Sequence, residues 1–392
     1  MNNLFRNTKI KVKQVHHIVK ILSGIPKKNI CTYCLFFVGS MPINFGRRYV
    51  SLLYSREYLV FEKSDGIRGF FVFLQNKIYL LDRNFFLTDI TCIIGGSKKK
   101  NSNFNNTILD GELSFNLFKE DYEFLIYDSM CLSGDWRISS WDLNGRINII
   151  NVIANKISLF INVYNMNLIR KDTYKINEIQ ELFDKVIENK FNFDRVYINI
   201  HRNDKLICNK NDGLVFTPVK MSYISKFPLI TFKWKYENGN SIDLLCKKNF
   251  EPRFKEKNLF RKFGLFYRIG KYSQFKFKDL RKINSKPFYK IFKTEMNKNG
   301  IIECLLNKKI SSWNYIKIRN DKEKSNSIKV AINTLEIISQ CFFKSELIDN
   351  LFKLNIRKKR GKILKFDNIL NFLKNDHNRS VLSIHNQDPI PS

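Results

Sequence analysis

Histidine is scarce in this sequence, with five residues in 392, and the eight cysteines stand singly apart from Cys31-Thr-Tyr-Cys34. A single CxxC with no second pair offers neither a zinc cage nor a disulfide framework, since both need partners at set spacing. Reduced thiols fit the cytosol or nucleus. No apolar run approaches the roughly 20 residues that a membrane helix requires, so no membrane association is expected. The N-terminus alternates lysine with apolar residues and lacks a signal-peptide core. No Gly-rich Walker loop is present, which argues against a P-loop NTPase. Internal repeats are absent as well. Negative charge is in short supply: 36 Asp and Glu stand against 68 Lys and Arg, for a formal charge of +32. A balance that far from zero speaks of partners rather than fold, and it favours nucleic acid, nucleotide phosphates or an acidic protein segment.

What is present begins with hydrophobic material for a core: 44% of residues are hydrophobic, with 35 Phe and 16 Tyr. The length allows two domains and a helical extension. Residues 1–30 are basic and partly apolar and predict a peripheral helix. A short helix is predicted over Arg47–Glu57. Tyr58–Glu62 has strand composition, breaks at the turn dipeptide Asp65-Gly66, and continues as the apolar run Phe70–Leu74 with a hairpin partner at Lys77–Leu81. Lys63 is thereby held where an apolar strand meets a tight turn. Desolvation there, helped by Arg68 and other lysines, predicts a lowered amine pKa and a nucleophile.

Further acidic turns are predicted at Asp110-Gly111 and Asp212-Gly213, each between strands. Glu123–Met130 reads as a buried strand that ends in Asp128. Ile176–Asn189 carries apolar residues at helical spacing. Leu229–Lys235 reads as a strand with Lys233 and Lys235 on one face, because side chains alternate with period two. Asn238–Ser241 looks like a boundary. Beyond it lie short strands, a basic aromatic run at Arg253–Lys282, and the segment Trp313–Lys322. That run reads either as an RNA-contacting surface or as a lysine-rich insertion. A helical pattern covers Ile328–Leu354, a basic cluster follows at Arg357–Lys362, and the last ~15 residues read as disordered.

One amine, several carboxylates able to hold an oxygen-loving metal, and fixed cations are the parts needed to attack the α-phosphate of a nucleotide. In order and spacing these parts resemble the eukaryotic messenger-RNA guanylyltransferases, the alpha subunits of mRNA-capping enzymes, within the covalent nucleotidyltransferase superfamily. The likeness runs from Phe36 to Lys322 and takes in six motifs. It implies a lysyl-GMP intermediate on Lys63, formed from GTP with Mg²⁺ or Mn²⁺ and passed to the diphosphate 5′ end of nascent RNA. Arg68 then matches a ribose grip, Glu112 a ribose-hydroxyl acceptor and Tyr127 a purine-stacking aromatic, with Asp128 following in the same motif. Asp212 matches an acid near metal and α-phosphate, and Lys233 and Lys235 match α-phosphate contacts. Asp243 closes that motif. Lys317, Arg319, Asp321 and Lys322 match the last motif, which reaches the β and γ phosphates. Lys317 replaces an arginine there, which keeps the charge and loses the bidentate fork. Phe37-Val-Gly-Ser-Met-Pro42 resembles a family loop in which Val38 replaces a proline.

The resemblance implies an α+β chain. A nucleotidyltransferase domain of antiparallel sheets with flanking helices is expected at residues 1–237 and a β-barrel OB-fold domain at 238–326. C-terminal helices that pack back on the first domain, and a disordered tail, are expected at 327–392. No His-Cys-x5-Arg phosphatase signature is seen. A separate RNA 5′-triphosphatase subunit is therefore expected as partner, together with the phosphorylated RNA polymerase II tail and a nuclear location. The rival readings are an ATP-dependent polynucleotide ligase, which shares the lysine motif, and a catalytically silent binding module for RNA or the polymerase tail.

Overall fold

The computed structural model of the chain describes residues 41–74, 77–82, 87–90, 104–161, 167–189, 194–201, 205–223, 231–248, 263–269, 273–276, 300–307, 312–319, 322 and 324–359. The N-terminal helix, the Cys31 and Cys34 pair, residues 36–40, most of the Arg253–Lys282 run, Asp321 and the tail lie outside the described residues.

In chain order the elements begin with β1 (Ile43–Asn44), a 3₁₀ turn at Arg47–Tyr49, α1 (Leu52–Ser55), β2 (Tyr58–Ser64), β3 (Ile67–Leu74), β4 (Lys77–Asp82) and β5 (Leu87–Asp89). They continue with β6 (Thr107–Asn116), β7 (Asp121–Cys131), α2 (Leu143–Ile161), β8 (Asn167–Arg170), β9 (Tyr174–Lys175), α3 (Ile179–Asp184) and β10 (Val186–Glu188). Next are β11 (Arg195–His201), β12 (Lys205–Pro218), β13 (Phe232–Lys235), β14 (Ser241–Lys248), β15 (Phe263–Ile269) and β16 (Ser273–Lys276). The chain closes with β17 (Gly300–Asn307), β18 (Ser312–Ile318), α4 (Ile328–Gln340) and α5 (Lys344–Lys359).

Three sheets carry the fold, which is α+β. Strands run β1-β13-β12-β11-β10 in the first sheet, where β2 also pairs with β12 and with β9. The second runs β5-β4-β3-β6-β7-β8 and the third β16-β15-β14-β17-β18. Pairing is antiparallel except for β1 with β13 and β7 with β8, which are parallel. The third sheet has the pairing of a five-stranded, partly open barrel of OB type. Its β15 and β16 come from the basic aromatic run, so part of that run is barrel strand.

Alternation fills both faces of the second sheet. Phe71 and Phe73 pack with Leu109, Phe124 and Ile153 on one side, and Phe70 and Val72 with Ile108 and Met130 on the other. A third cluster joins the first sheet, through Phe45, Phe216, Phe232 and Trp234, to Phe342, Leu347 and Leu351 at the C-terminal end. Each such large side chain contributes roughly 1.5–3 kcal/mol when fully buried.

The Asp65-Gly66 turn carries the chain from β2 in the first sheet to β3 in the second, and the expected hairpin forms between β3 and β4. A Cβ on Gly66 would meet the Leu113 carbonyl oxygen at 2.6 Å, so glycine lets that crossing pass β6 closely. Other sequence expectations change. Asp110-Gly111 and Asp212-Gly213 are not turns. Both lie inside single continuous strands, at irregularities in register. The predicted helix over Ile176–Asn189 is shorter. It ends by Asp184, and the β-branched Val186 and Ile187 leave it to pair with β11. The Ile328–Leu354 pattern divides into α4 and α5 at Cys341, whose φ of 48° ends the first helix in the left-handed region.

Candidate active site

A cleft of about 750 Å³ opens between the first two sheets and the barrel domain. Lys63, Asp212, Lys233 and Lys235 line it from the first sheet, Arg68, Glu112, Tyr127 and Asp128 from the second, and Asp243, Lys317, Arg319 and Lys322 from the barrel side. Every sequence-predicted site residue within the described residues therefore faces one cavity.

Strand register builds the floor. Lys63 of β2 stands opposite Gly213 of β12, which stands opposite Lys235 of β13. Between Asn211 and Gly213 the β12 register slips, and Gly213 takes a φ of 137° that side chains other than hydrogen rarely adopt. A Cβ there would lie 2.1 Å from the Trp234 carbonyl oxygen. The bulge aims the Asp212 carboxylate into the row of lysines. Its Oδ2 lies 2.7 Å from Lys63 Nζ and 3.0 Å from Lys235 Nζ.

This geometry overturns the expected titration of Lys63. Burial by itself would lower its pKa, but Asp212, with Glu112 and Asp65, holds the amine above its ordinary value. Burial would raise Asp212, yet Lys63 and Lys235 hold that carboxyl well below the usual range. The depressed amine is Lys233, which burial, reinforced by Lys235, Lys63 and Lys322, brings down to about 7.

The second wall is organised by carboxylates whose roles the sequence did not reveal. Arg68 does not project freely: it forms a fork on Asp110, with Nε 3.2 Å from Oδ1 and Nη2 2.7 Å from Oδ2. Tyr127 donates its hydroxyl to the same Oδ1 at 2.8 Å, and the Arg68 guanidinium lies 5.5 Å from the Tyr127 ring centroid. Glu112 accepts from Lys171 Nζ at 3.1 Å. Lys171 also pairs with the buried Glu62 at 3.1 Å and lies 6.0 Å from the Tyr127 ring centroid. Lys171 lies in no motif quoted from the sequence, and Glu62 was read only as the last residue of the strand before Lys63; nothing in their local pattern marks their pairing. Asp110 was visible only as part of a supposed turn.

Asp128 ends no strand. It sits within β7 and takes two bonds from the fully buried Arg146, at 2.7 and 3.0 Å. Its carboxylate thus anchors α2 to β7 at the cleft wall.

On the barrel side, Arg319 Nη1 lies 3.1 Å from Asp243 Oδ1 and 3.4 Å from Glu303 Oε2. Lys322 pairs with the other Asp243 oxygen. Asp243 gathers the two cations at the cleft, while Lys317 is largely exposed and 4.0 Å from Glu303. Asn326 ties this cluster together, since Asp243 N donates to its Oδ1 at 2.8 Å and its own N donates to the Asp243 carbonyl.

A lysine-floored cleft roofed by a small barrel bearing further cations defines a nucleotidyltransferase. The family is narrower. A model of the mRNA capping enzyme catalytic domain matches residues 5–237, and one of the mRNA capping enzyme C-terminal domain matches residues 239–348. The chain belongs to the mRNA capping enzyme family and is an mRNA guanylyltransferase, with GTP and the 5′ end of RNA as substrates. The mRNA-capping enzyme subunit alpha of Schizosaccharomyces pombe is 25% identical over 353 residues, covering 80% of this chain and 80% of that protein. That of Yarrowia lipolytica is 24% identical, over 80% of this chain and 82% of that protein. The mRNA-capping enzyme of Caenorhabditis elegans is 25% identical over 82% of this chain and 50% of that protein. Among solved structures, Chlorella virus DNA ligase-adenylate aligns over 73% of this chain and all of that chain, at 12% identity and a TM-score of 0.31.

Proposed function

We propose that Lys63 is the residue that carries GMP. Its Nζ attacks the α-phosphorus of GTP; the N–P bond forms as the bond to the bridging oxygen breaks, and pyrophosphate leaves with the electron pair. A terminal oxygen of the RNA 5′-diphosphate then attacks the same phosphorus, the N–P bond breaks, and the lysine nitrogen regains a proton. The observation that carries this reading is the Lys63–Asp212–Lys235 row on the floor of the cleft.

Charge placement supports each role. Lys233 and Lys235 face the site of the α-phosphate. Arg319 and Lys322 come from the barrel side, where they can neutralise the departing pyrophosphate. Asp243 and Glu303 hold these cations, so an incoming triphosphate exchanges partners with them. Drawing Asp212 away from Lys63 removes the charge that keeps the amine protonated. The amine is then left beside two lysines in a buried setting, which favours its neutral, attacking form.

A divalent metal, Mg²⁺ or Mn²⁺, is part of the proposal. Among the described residues no group of three or more metal-ligating side chains is assembled. Asp212 alone on the floor suits an ion that arrives with substrate phosphates and keeps much of its water. Such an ion would neutralise charge on the α-phosphate. Arg68 and Glu112 would hold the ribose, and Tyr127 would stack the purine.

Three partners and places complete the reading: a separate RNA 5′-triphosphatase subunit, the phosphorylated RNA polymerase II tail, and the nucleus. The name of the S. pombe relative, a subunit alpha, supports the first. Co-purification and binding to a phosphorylated tail peptide test the first two, and imaging of a tagged chain tests the third.

The deciding experiment incubates the protein with α-labelled GTP or ATP, traps the adduct and maps it by peptide mass. The expected result is GMP on the Lys63 peptide and none on Lys63→Ala. An adduct with ATP alone would replace this reading with that of a ligase.

A further inference from the structure

One buried hydroxyl on the cleft wall has no task in the chemistry above. Tyr223 follows β12, in the connection toward β13, and is 6% exposed. It lies within the residues that the catalytic-domain model matches, but in none of the motifs quoted from the sequence. Its hydroxyl donates to Asp110 Oδ2 at 2.6 Å. Asp110 is fully buried, and each of its oxygens takes two donors. Arg68 Nε and Tyr127 OH share Oδ1, while Arg68 Nη2 and Tyr223 OH share Oδ2.

The ring that carries this hydroxyl is itself fixed. It packs in the cluster of Phe70, Val72, Ile108 and Met130. The Arg146 guanidinium sits 5.9 Å from its centroid. Arg146 in turn is locked by the Asp128 fork and by the carbonyls of Trp141 and Met221, at 2.5 and 2.6 Å. The Tyr223 oxygen therefore approaches Asp110 from a rigid direction.

The consequence is geometric. Without the Tyr223 hydroxyl, the Asp110 carboxylate is held by Arg68 and Tyr127, the two residues it has to position, so the three can shift as a group with no fixed external donor to stop them. We propose that Tyr223 is a positioning residue for the nucleotide: through Asp110 it sets Arg68 and Tyr127 in one geometry before GTP enters. Groups held in place beforehand spare the ligand the ordering cost on binding. The inference rests on the nucleotide reading of this cleft.

The test uses the full chain and single-turnover labelling with α-labelled GTP. Tyr223→Phe keeps the ring and removes the hydroxyl. The expected result is a rise of about three- to tenfold in the GTP concentration for half-maximal rate, with the rate at saturation kept within about twofold. In an Arg68→Ala background the same substitution should add less than about twofold, because its route of action is already gone. An unchanged GTP dependence, an undiminished effect in the Arg68→Ala background, or loss of the folded state overturns the proposal, the last by assigning the hydroxyl to stability. A wild-type chain that takes no GMP from GTP sinks the nucleotide reading itself, and that failure is seen before any variant is made.

Discussion

Lys63 is restrained by the acid that the bulge in β12 delivers to it. Replacing Asp212 by Asn removes the foremost charge that holds its amine up, and sets burial, which acts downward, against Glu112 and Asp65 alone. The expected outcome is twofold. Adduct formation falls by more than about a hundredfold, because the phosphate-facing acid is lost. Lys63 meanwhile becomes more reactive than in the wild type toward a small amine-modifying reagent at pH 8, as read by mass spectrometry. A variant with unchanged Lys63 labelling would show that Asp212 does not govern the amine. Lys233 gives the pH signature. With a folded pKa of about 7, below its ordinary 10.5, it is mostly neutral above neutrality. A bound triphosphate raises that pKa, so binding at pH 8 takes up a proton and GTP affinity falls as pH climbs from 7 to 9. Calorimetry in buffers of different ionisation heat measures the uptake, and Lys233→Met should abolish it. The sequence put both lysines among the site candidates, and both line the cleft. It assigned the depressed amine to the wrong one, since composition near Lys63 shows basic neighbours and not the acid that folds against it.

Glycine placement decides the elements. In the sequence, Asp-Gly reads as a turn at all three positions, because turn chemistry is a local property. In the fold only one of them reverses or redirects the chain. Gly111 sits mid-strand because a Cβ there would strike the Phe124 ring at 2.5 Å, and Gly213 because of its φ and the Trp234 carbonyl. Both are close-approach glycines, of the kind a strand uses at a bulge. Gly213→Ala is expected to cost more than about 2 kcal/mol in urea unfolding. At temperatures where it is still folded, its adduct formation should fall at least tenfold, because the Asp212 carboxylate leaves the lysine row. Normal labelling would mean that the bulge does not aim Asp212. The helix over Ile176–Asn189 was half legible for a related reason: Ile179, Leu182 and Phe183 keep helical spacing and are buried, whereas Val186 and Ile187 answer to a neighbouring strand that is distant in the pattern.

At the scale of the whole molecule, α5 and the turn before it complete the core of the first sheet. The Trp234 indole donates to the Phe342 carbonyl at 3.2 Å, and Leu347 and Leu351 fill the same cluster as Trp234 and Phe183. Trp234 lies between Lys233 and Lys235, so this packing steadies the strand that presents both. Leu347→Ala should cost about 2–5 kcal/mol, the usual range for a buried leucine. Glu346→Ala should cost less than about 1 kcal/mol, since its pairing with Arg47 is partly exposed. Thermal melts of the two variants make the comparison. Comparable losses would relocate the domain's support from the apolar contact to the ion pair. Arg319 and Lys322 are tied to the barrel side through Asp243, which Asn326 holds in turn.

The sequence by itself named many of the charged side chains that line the cleft, and their order along the chain, because each motif pairs a strand pattern with a few polar residues inside a short window; it did not name Glu62, Lys171 or Glu303 among them. The α+β class followed from the family likeness that those motifs carry. Only the tertiary structure decided which of those charges neutralise one another. Lys63 meets Asp212 across 149 positions, Arg68 and Tyr127 meet on Asp110, and Arg319 meets Asp243 across 76. Protonation and aim depend on the charge a few ångströms away, and the fold draws that charge from remote parts of the chain.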